Sequence, residues 1–181
     1  PSLFRTMAIM AFFLMLVQVN RVGGGVLASE LSDGYSLSPT MIGLVIGSMF
    51  FAAAVVQVPV GLMLDSFGAR RTLVGLSVIA VSGMILMGFA SGATELIIGR
   101  ILVGIGHGAS ITGVYLLAVL WTSPERVSTV AAITIAVGGA LGGILGTAPL
   151  AISFETLGFS DTFVLLAIAC LLYTSPSPRD Y

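Results

Sequence analysis

GLMLDSFGARR, Gly61–Arg71, is a short polar turn held between two long apolar runs, and its reading decides the fold. Before it, Gly34–Leu64 carries no Asp, Glu, Lys or Arg over 31 residues; after it, Thr72–Thr94 carries none over 23. A crossing of the lipid core takes about 20 mostly apolar residues at about 1.5 Å rise each. The segment therefore reads as a tight connection between two membrane helices. Gly68 suits a turn that needs positive φ, and Gly61 allows a neighbouring helix backbone to come close. Asp65, at a helix C-terminus, opposes the helix dipole and needs a compensating partner.

Working outward, the same sparsity of charge continues. Val127–Phe154 has no charged residue over 28 positions, and Ile101–Pro124 has only His107 over 24. The pattern predicts helices near Thr6–Ala28, Pro39–Leu64, Thr72–Ala90, Thr94–Trp121 and Val127–Ile152, and a sixth beginning around Asp161. Over the whole chain of 181 residues, 57% are hydrophobic and only 8% charged, and mean hydropathy is +1.12. A soluble surface carries about three times that charge. All seven basic residues are Arg, which excludes a lysine-rich nucleic-acid surface. One Cys and one His offer neither a disulfide framework nor a metal site. No strand-like alternation over ten-residue segments is visible, so an outer-membrane barrel is excluded too. The fold class is all-α and membrane-spanning.

Orientation follows from the loops. Arg5, Arg70, Arg71 and Arg126 fall on one side, whereas Glu30, Asp33, Glu95, Glu155 and Asp161 mark the other, which has no Arg. This positive-inside pattern places the N-terminus in the cytoplasm and the protein in the inner membrane. Helix 6 gains about ten apolar residues, Phe163–Leu172, before Thr174-Ser175-Pro176-Ser177-Pro178. The string CLLYTSPSPRD, Cys170–Asp180, resembles the translation of a transposase-type sequencing adapter. The expectation is an authentic bundle over residues 1–169, cut within helix 6, and a non-native tail over 170–181 in which Cys170 and Arg179 carry no function. A bundle so cut would expose an apolar face and aggregate in detergent.

Gly61, Asp65, Gly68, Arg70 and Arg71 together resemble the signature of the major facilitator superfamily, with Ser66 standing where that family has Arg or Lys. The match lies at the cytoplasmic end of the second helix, as it does in the family. Helix 4 carries GRILVGIGHGA, Gly99–Ala109, similar to the family's fourth-helix pattern with its membrane-embedded Arg, here Arg100 followed by Gly104. Helix 5 carries GGALGGILGTAP, Gly138–Pro149, like the glycine-rich run ending in Pro of many members. Helix 1 carries Gln18, Asn20 and Arg21, resembling members that transport organic anions such as sugar phosphates. The resemblance implies the six-helix N-terminal half of a twelve-helix transporter. It implies a solute site between the halves, a gating contact through Asp65, Arg70 and Arg71, and a C-terminal six-helix half as partner.

The remaining residues are read physically. Gly138, Gly142 and Gly146 recur every four positions, as do Gly139 and Gly143, on adjoining stripes suited to close helix packing, and Pro149 would kink the helix near its end. Gly104-Ile105-Gly106-His107-Gly108 is no nucleotide loop, because it lies inside a span with no strand before it. Arg21, Arg100 and His107 are the ionisable groups plainly within spans, and such residues face a wet cavity or a partner. Arg21 and Gln18 share a helix face three residues apart, and the guanidinium suits bidentate pairing with a phosphate or carboxylate. Arg100, Gly104, His107 and Ile111 form one helical stripe. Arg100, near the helix end, reads as internally paired or reaching outward; His107 reads as packed and neutral, or as a proton relay.

The function expected is secondary active transport of a small organic solute, leaning to anions, by alternating access within the lipid bilayer. It involves no enzyme chemistry and no cofactor, and coupling to a proton or another ion stays open. The alternatives are a proton-coupled efflux antiporter and, in another class, a non-transporting solute sensor on the same fold.

Overall fold

The computed structural model describes residues 3–174, apart from the side chains of residues 69, 70, 173 and 174. The Arg70 side chain and positions 175–181 of the expected tail thus lie outside the described residues. The described chain is helical: α1 (Leu3–Val22), α2 (Gly24–Tyr35), α3 (Pro39–Val55), α4 (Gln57–Phe67), α5 (Ala69–Gly88), α6 (Ala93–His107), α7 (Ser110–Trp121), α8 (Val127–Leu145), α9 (Ala148–Leu157) and α10 (Phe159–Thr174), with a 3₁₀ turn at Pro124–Arg126. Leu3–Val22, Arg71–Gly88, Ala93–Trp121 and Pro124–Leu145 are each long and apolar enough to cross a membrane, and α3 with α4 makes a fifth as one bent span. The apolar helix Phe159–Leu172 is shorter.

Helices expected to run unbroken are mostly divided, and each division has a cause. Pro59 has no N–H for the Val55 carbonyl, and the chain bends by 46° between α3 and α4 at Val56. Pro149 sits in the first turn of α9, so α8 ends at Leu145 and the helix restarts after Gly146-Thr147. Between α6 and α7 the Gly108 N–H donates to Ile105, 3.1 Å away, in a tightened turn. The first helix also outruns its expected end at Ala28, continuing through a slip at Gly23 to Tyr35. It closes on Ser36 in the left-handed region (φ 51°), where the Leu37 N–H donates to the Leu31 carbonyl at 3.2 Å.

Starts and stops are capped locally. The Ser38 hydroxyl accepts from the Met41 N–H ahead of Pro39. The Glu95 carboxylate accepts from the N–H groups of Ser91 and Gly92 at 2.6 and 2.8 Å, closing the start of α6. Gly68 adopts φ 80° between α4 and α5, as a turn glycine should. Across that turn the buried Thr72 hydroxyl donates to the Met63 carbonyl at 3.0 Å, tying the start of α5 back to α4.

Glycines set the helix spacing. A Cβ on Gly138 would meet the Ala11 carbonyl at 2.5 Å, one on Gly142 would collide with the Met15 carbonyl, and one on Gly146 would crowd Val19. The register advances by four on both helices, so α1 and α8 lie parallel with backbones in near contact. Gly104 meets the Met49 carbonyl in the same way, joining α6 to α3, while Gly83, Gly99 and Gly106 bring α5 against α6. At the far end, where α2, α9 and α10 meet, Phe159 stacks among Tyr35, Phe154 and Phe163, and the Tyr35 hydroxyl donates to Ala90 at 3.0 Å. The main core beneath it runs through Leu31, Val45, Met49, Met84, Leu96 and Val103. Cys170 is buried in that core.

Candidate functional site

The site is built where two broken spans meet. Val56, at the bend between α3 and α4, faces Gly108, at the break between α6 and α7: a Cβ on Gly108 would lie 2.6 Å from a Val56 methyl. The Gln57 side chain spans the two breaks, its Nε2 donating to the Gly108 carbonyl at 3.3 Å. Irregular backbone at membrane depth is tolerated where it lines a cavity, and here it does. A cleft opens beside the breaks, lined by Arg21, Met49, Phe50, Ala53, Gln57, His107, Gly108, Ser110 and Ile111.

Two of the expected contact residues come together in it. Arg21, in the last turn of α1, is half-buried, and its guanidinium lies 6.0 Å from the Phe50 ring centroid. A ring face that close attracts the cation without consuming its N–H donors. His107 ends α6 and is 4% exposed. Its ring meets Phe13 edge-on at 6.0 Å, and neither nitrogen has a hydrogen-bond partner among the described residues.

Gln18, expected to share a polar face with Arg21, and Asn20, a candidate through the resemblance, are both placed elsewhere. Gln18 lies against α8, where its Cβ would be 2.6 Å from a Cβ on Gly142, because the glycine stripe draws that face of α1 inward. Asn20 is buried, and its amide donates back to the Leu16 carbonyl at 3.0 Å. Arg100 does not reach outward and meets no acid among the described residues; it is 2% exposed and bonded inside the bundle. Its Nη1 donates to the Asn20 carbonyl at 3.1 Å and approaches the Met49 sulfur at 3.3 Å, while Nε and Nη2 have no partner. It borders a second, smaller cleft with Asn20, Leu27 and Phe154. The cause is the packing of α3 along α6, with the end of α1 meeting the guanidinium through the Asn20 carbonyl. On the expected stripe Gly104 and His107 are likewise buried, but Ile111, beyond the tightened turn at Gly108, is exposed.

The turn motif is also only partly what the spacing implied. Gly68 has its positive φ, but a Cβ on Gly61 would meet nothing within 4 Å, so no helix backbone approaches there. Asp65 and Arg71 are exposed. Gly139 and Gly143 have open space where a Cβ would stand, so of the two stripes only Gly138, Gly142 and Gly146 pack against a neighbour among the described residues. Gln57, Phe50 and Ser110 were missed by the sequence reading. The available signals were Gln57 as an amide deep in a 31-residue uncharged run and Pro59 beside it.

Comparison with known proteins agrees with this architecture. The family described as Major Facilitator Superfamily matches residues 5–176. A probable sulfoacetate transporter of Cupriavidus necator is 24% identical over 93% of this chain and 39% of its own length. Sodium-dependent phosphate transport protein 1 of Mus musculus is 30% identical, covering 92% and 40%. A hexuronate transporter of Bacillus subtilis is 29% identical, covering 89% and 39%. The chain thus spans about two fifths of the length of the curated relatives it matches.

Proposed function

Because the chain belongs to the major facilitator superfamily, we propose that it is the N-terminal bundle of a secondary transporter for a small organic anion. The observation that carries this reading is the half-buried Arg21 guanidinium at the cleft beside the two helix breaks, steadied by the Phe50 ring. A fixed planar cation in a site walled by apolar groups pairs with a carboxylate, sulfonate or phosphate through two parallel hydrogen bonds. The names of the three relatives above, which share most of this chain's length, support it, since sulfoacetate, phosphate and hexuronate are all anions. The solute would sit between this bundle and a second six-helix half, reached from alternate sides as the halves rock, with no covalent chemistry and no cofactor. The positive-inside distribution of Arg5, Arg70, Arg71 and Arg126 supports an inner-membrane protein with a cytoplasmic N-terminus. Asp65 and Arg71, exposed at that end, are free to meet the second half in a gating contact.

Among the residues that line the cleft there is no carboxylate, which gives the proton-coupled antiporter no specific support. The test is uptake of labelled anions into proteoliposomes by the full-length protein. Arg21→Gln should abolish uptake, and Arg21→Lys, which keeps the charge but loses the fork, should retain a fraction of it. Unchanged uptake in Arg21→Gln removes the anion reading. Specific binding without any accumulation favours a sensor over a transporter.

A further inference from the structure

We propose that His107 reads a hydroxyl group on the transported anion, so that the cleft takes hydroxylated organic anions in preference to their deoxy counterparts. The inference rests on the reading of Arg21 as the anion contact and extends it to the second functional group of the substrate. His107 is 96% buried by the same measure that leaves it 4% exposed, and both Nδ1 and Nε2 lack a hydrogen-bond partner among the described residues. Buried polar atoms in native interiors are nearly always met. The ring lines the cleft, so a group entering there is a partner for its two unmet nitrogens.

The chemistry of the ring narrows that group. A neutral imidazole carries one N–H, which donates, and one lone pair, which accepts. A carboxylate, sulfonate or phosphate that is fully ionised only accepts, so it leaves the lone pair unmet. A hydroxyl does both, serving either nitrogen in either tautomer, and a polyhydroxylated chain serves the two together. Arg21 lines the same cleft and supplies the complement for the charge, which leaves His107 for the neutral end. Ser110 and Gln57 line that wall too, adding a hydroxyl and an amide of the same dual character. Phe13 holds the ring edge-on from α1, so the imidazole is positioned before substrate arrives.

Three matched pairs of anions test this: lactate and propionate, malate and succinate, gluconate and hexanoate. Each is titrated against the full-length protein in detergent and used as a competitor of uptake in proteoliposomes. The hydroxylated member of at least one pair should bind about tenfold tighter or more, because a site built to bond a hydroxyl rejects the analogue that lacks it. His107→Leu should erase that difference by weakening the hydroxylated member while leaving the deoxy member within about twofold, which also shows the variant is folded. His107→Gln, which keeps a donor and an acceptor, should retain most of the preference. Equal binding within every pair, or a preference that survives His107→Leu, overturns the hydroxyl reading while leaving the anion reading standing if Arg21→Gln still weakens both members alike. Loss of the preference in His107→Leu with no effect of Arg21→Gln overturns the anion reading instead. No binding of any of the six anions overturns both.

Discussion

At the scale of single residues, the most telling is Arg100. A guanidinium 2% exposed, with one nitrogen on a carbonyl and a thioether and two nitrogens unmet, does not stabilise the fold that buries it. Arg100→Met, similar in volume and free of charge, should therefore leave the melting temperature of the purified protein unchanged or raise it, while transport falls. A drop of several degrees would make Arg100 structural after all. Thr72 behaves in the opposite way. Its buried hydroxyl meets the Met63 carbonyl at a turn between spans, so Thr72→Val should cost about 1–2 kcal/mol in a thermal-shift assay and Thr72→Ser far less. Sequence reading found Arg100 because charge inside a span is rare, but its burial depends on which helices cross above it. Thr72 gave no signal, since a threonine one residue past two arginines looks like any other helix start.

At the scale of elements, the α1–α8 pair shows how glycine spacing becomes energy. Helices in lipid gain little from hydrophobic burial against one another, so close backbone approach and dispersion hold them. Gly142→Leu forces α1 and α8 apart at the Met15 carbonyl and should cost about 3 kcal/mol or more, seen as loss of monodisperse protein on size exclusion. Gly143→Ala, one residue on but facing open space, should be neutral or stabilise by up to about 1 kcal/mol through helix propensity. If the two variants behave alike, the stripe assignment is wrong. The periodicity located both stripes; it does not say which has a neighbour. The breaks behave likewise. Pro59 and Pro149 are visible in the chain, yet the bends appear three residues or so before them, at the carbonyls left without a donor.

At the scale of the whole molecule, the packing rests on two parallel helix pairs: α1 lies parallel to α8, and α6 lies parallel to α3. Large apolar side chains left exposed on α3, α4 and α8, among them Phe51 at 72%, Val58 and Ile133, are suited to lipid or to a second bundle. The proposed orientation is tested by single cysteines introduced in a background lacking Cys170. A thiol at Ser123 should react with a membrane-impermeant maleimide only after the cytoplasmic side is exposed, and one at Ser91 from the outside in intact cells. The reverse labelling would invert the topology.

The sequence by itself determined the membrane setting and the family, because these depend on composition and on a turn motif read locally. The energy of moving charge into lipid is so large that spacing between charges is nearly sufficient to place the helices. The tertiary structure alone decided which polar residues share a space. Arg21 and His107 are 86 positions apart on different spans, and they line one cleft because α3 and α6 break side by side, whereas Gln18, three residues from Arg21, is drawn against α8. Helical periodicity fixes the angle of a side chain about its own axis. What stands at that angle is set by packing between helices, which no single helix encodes.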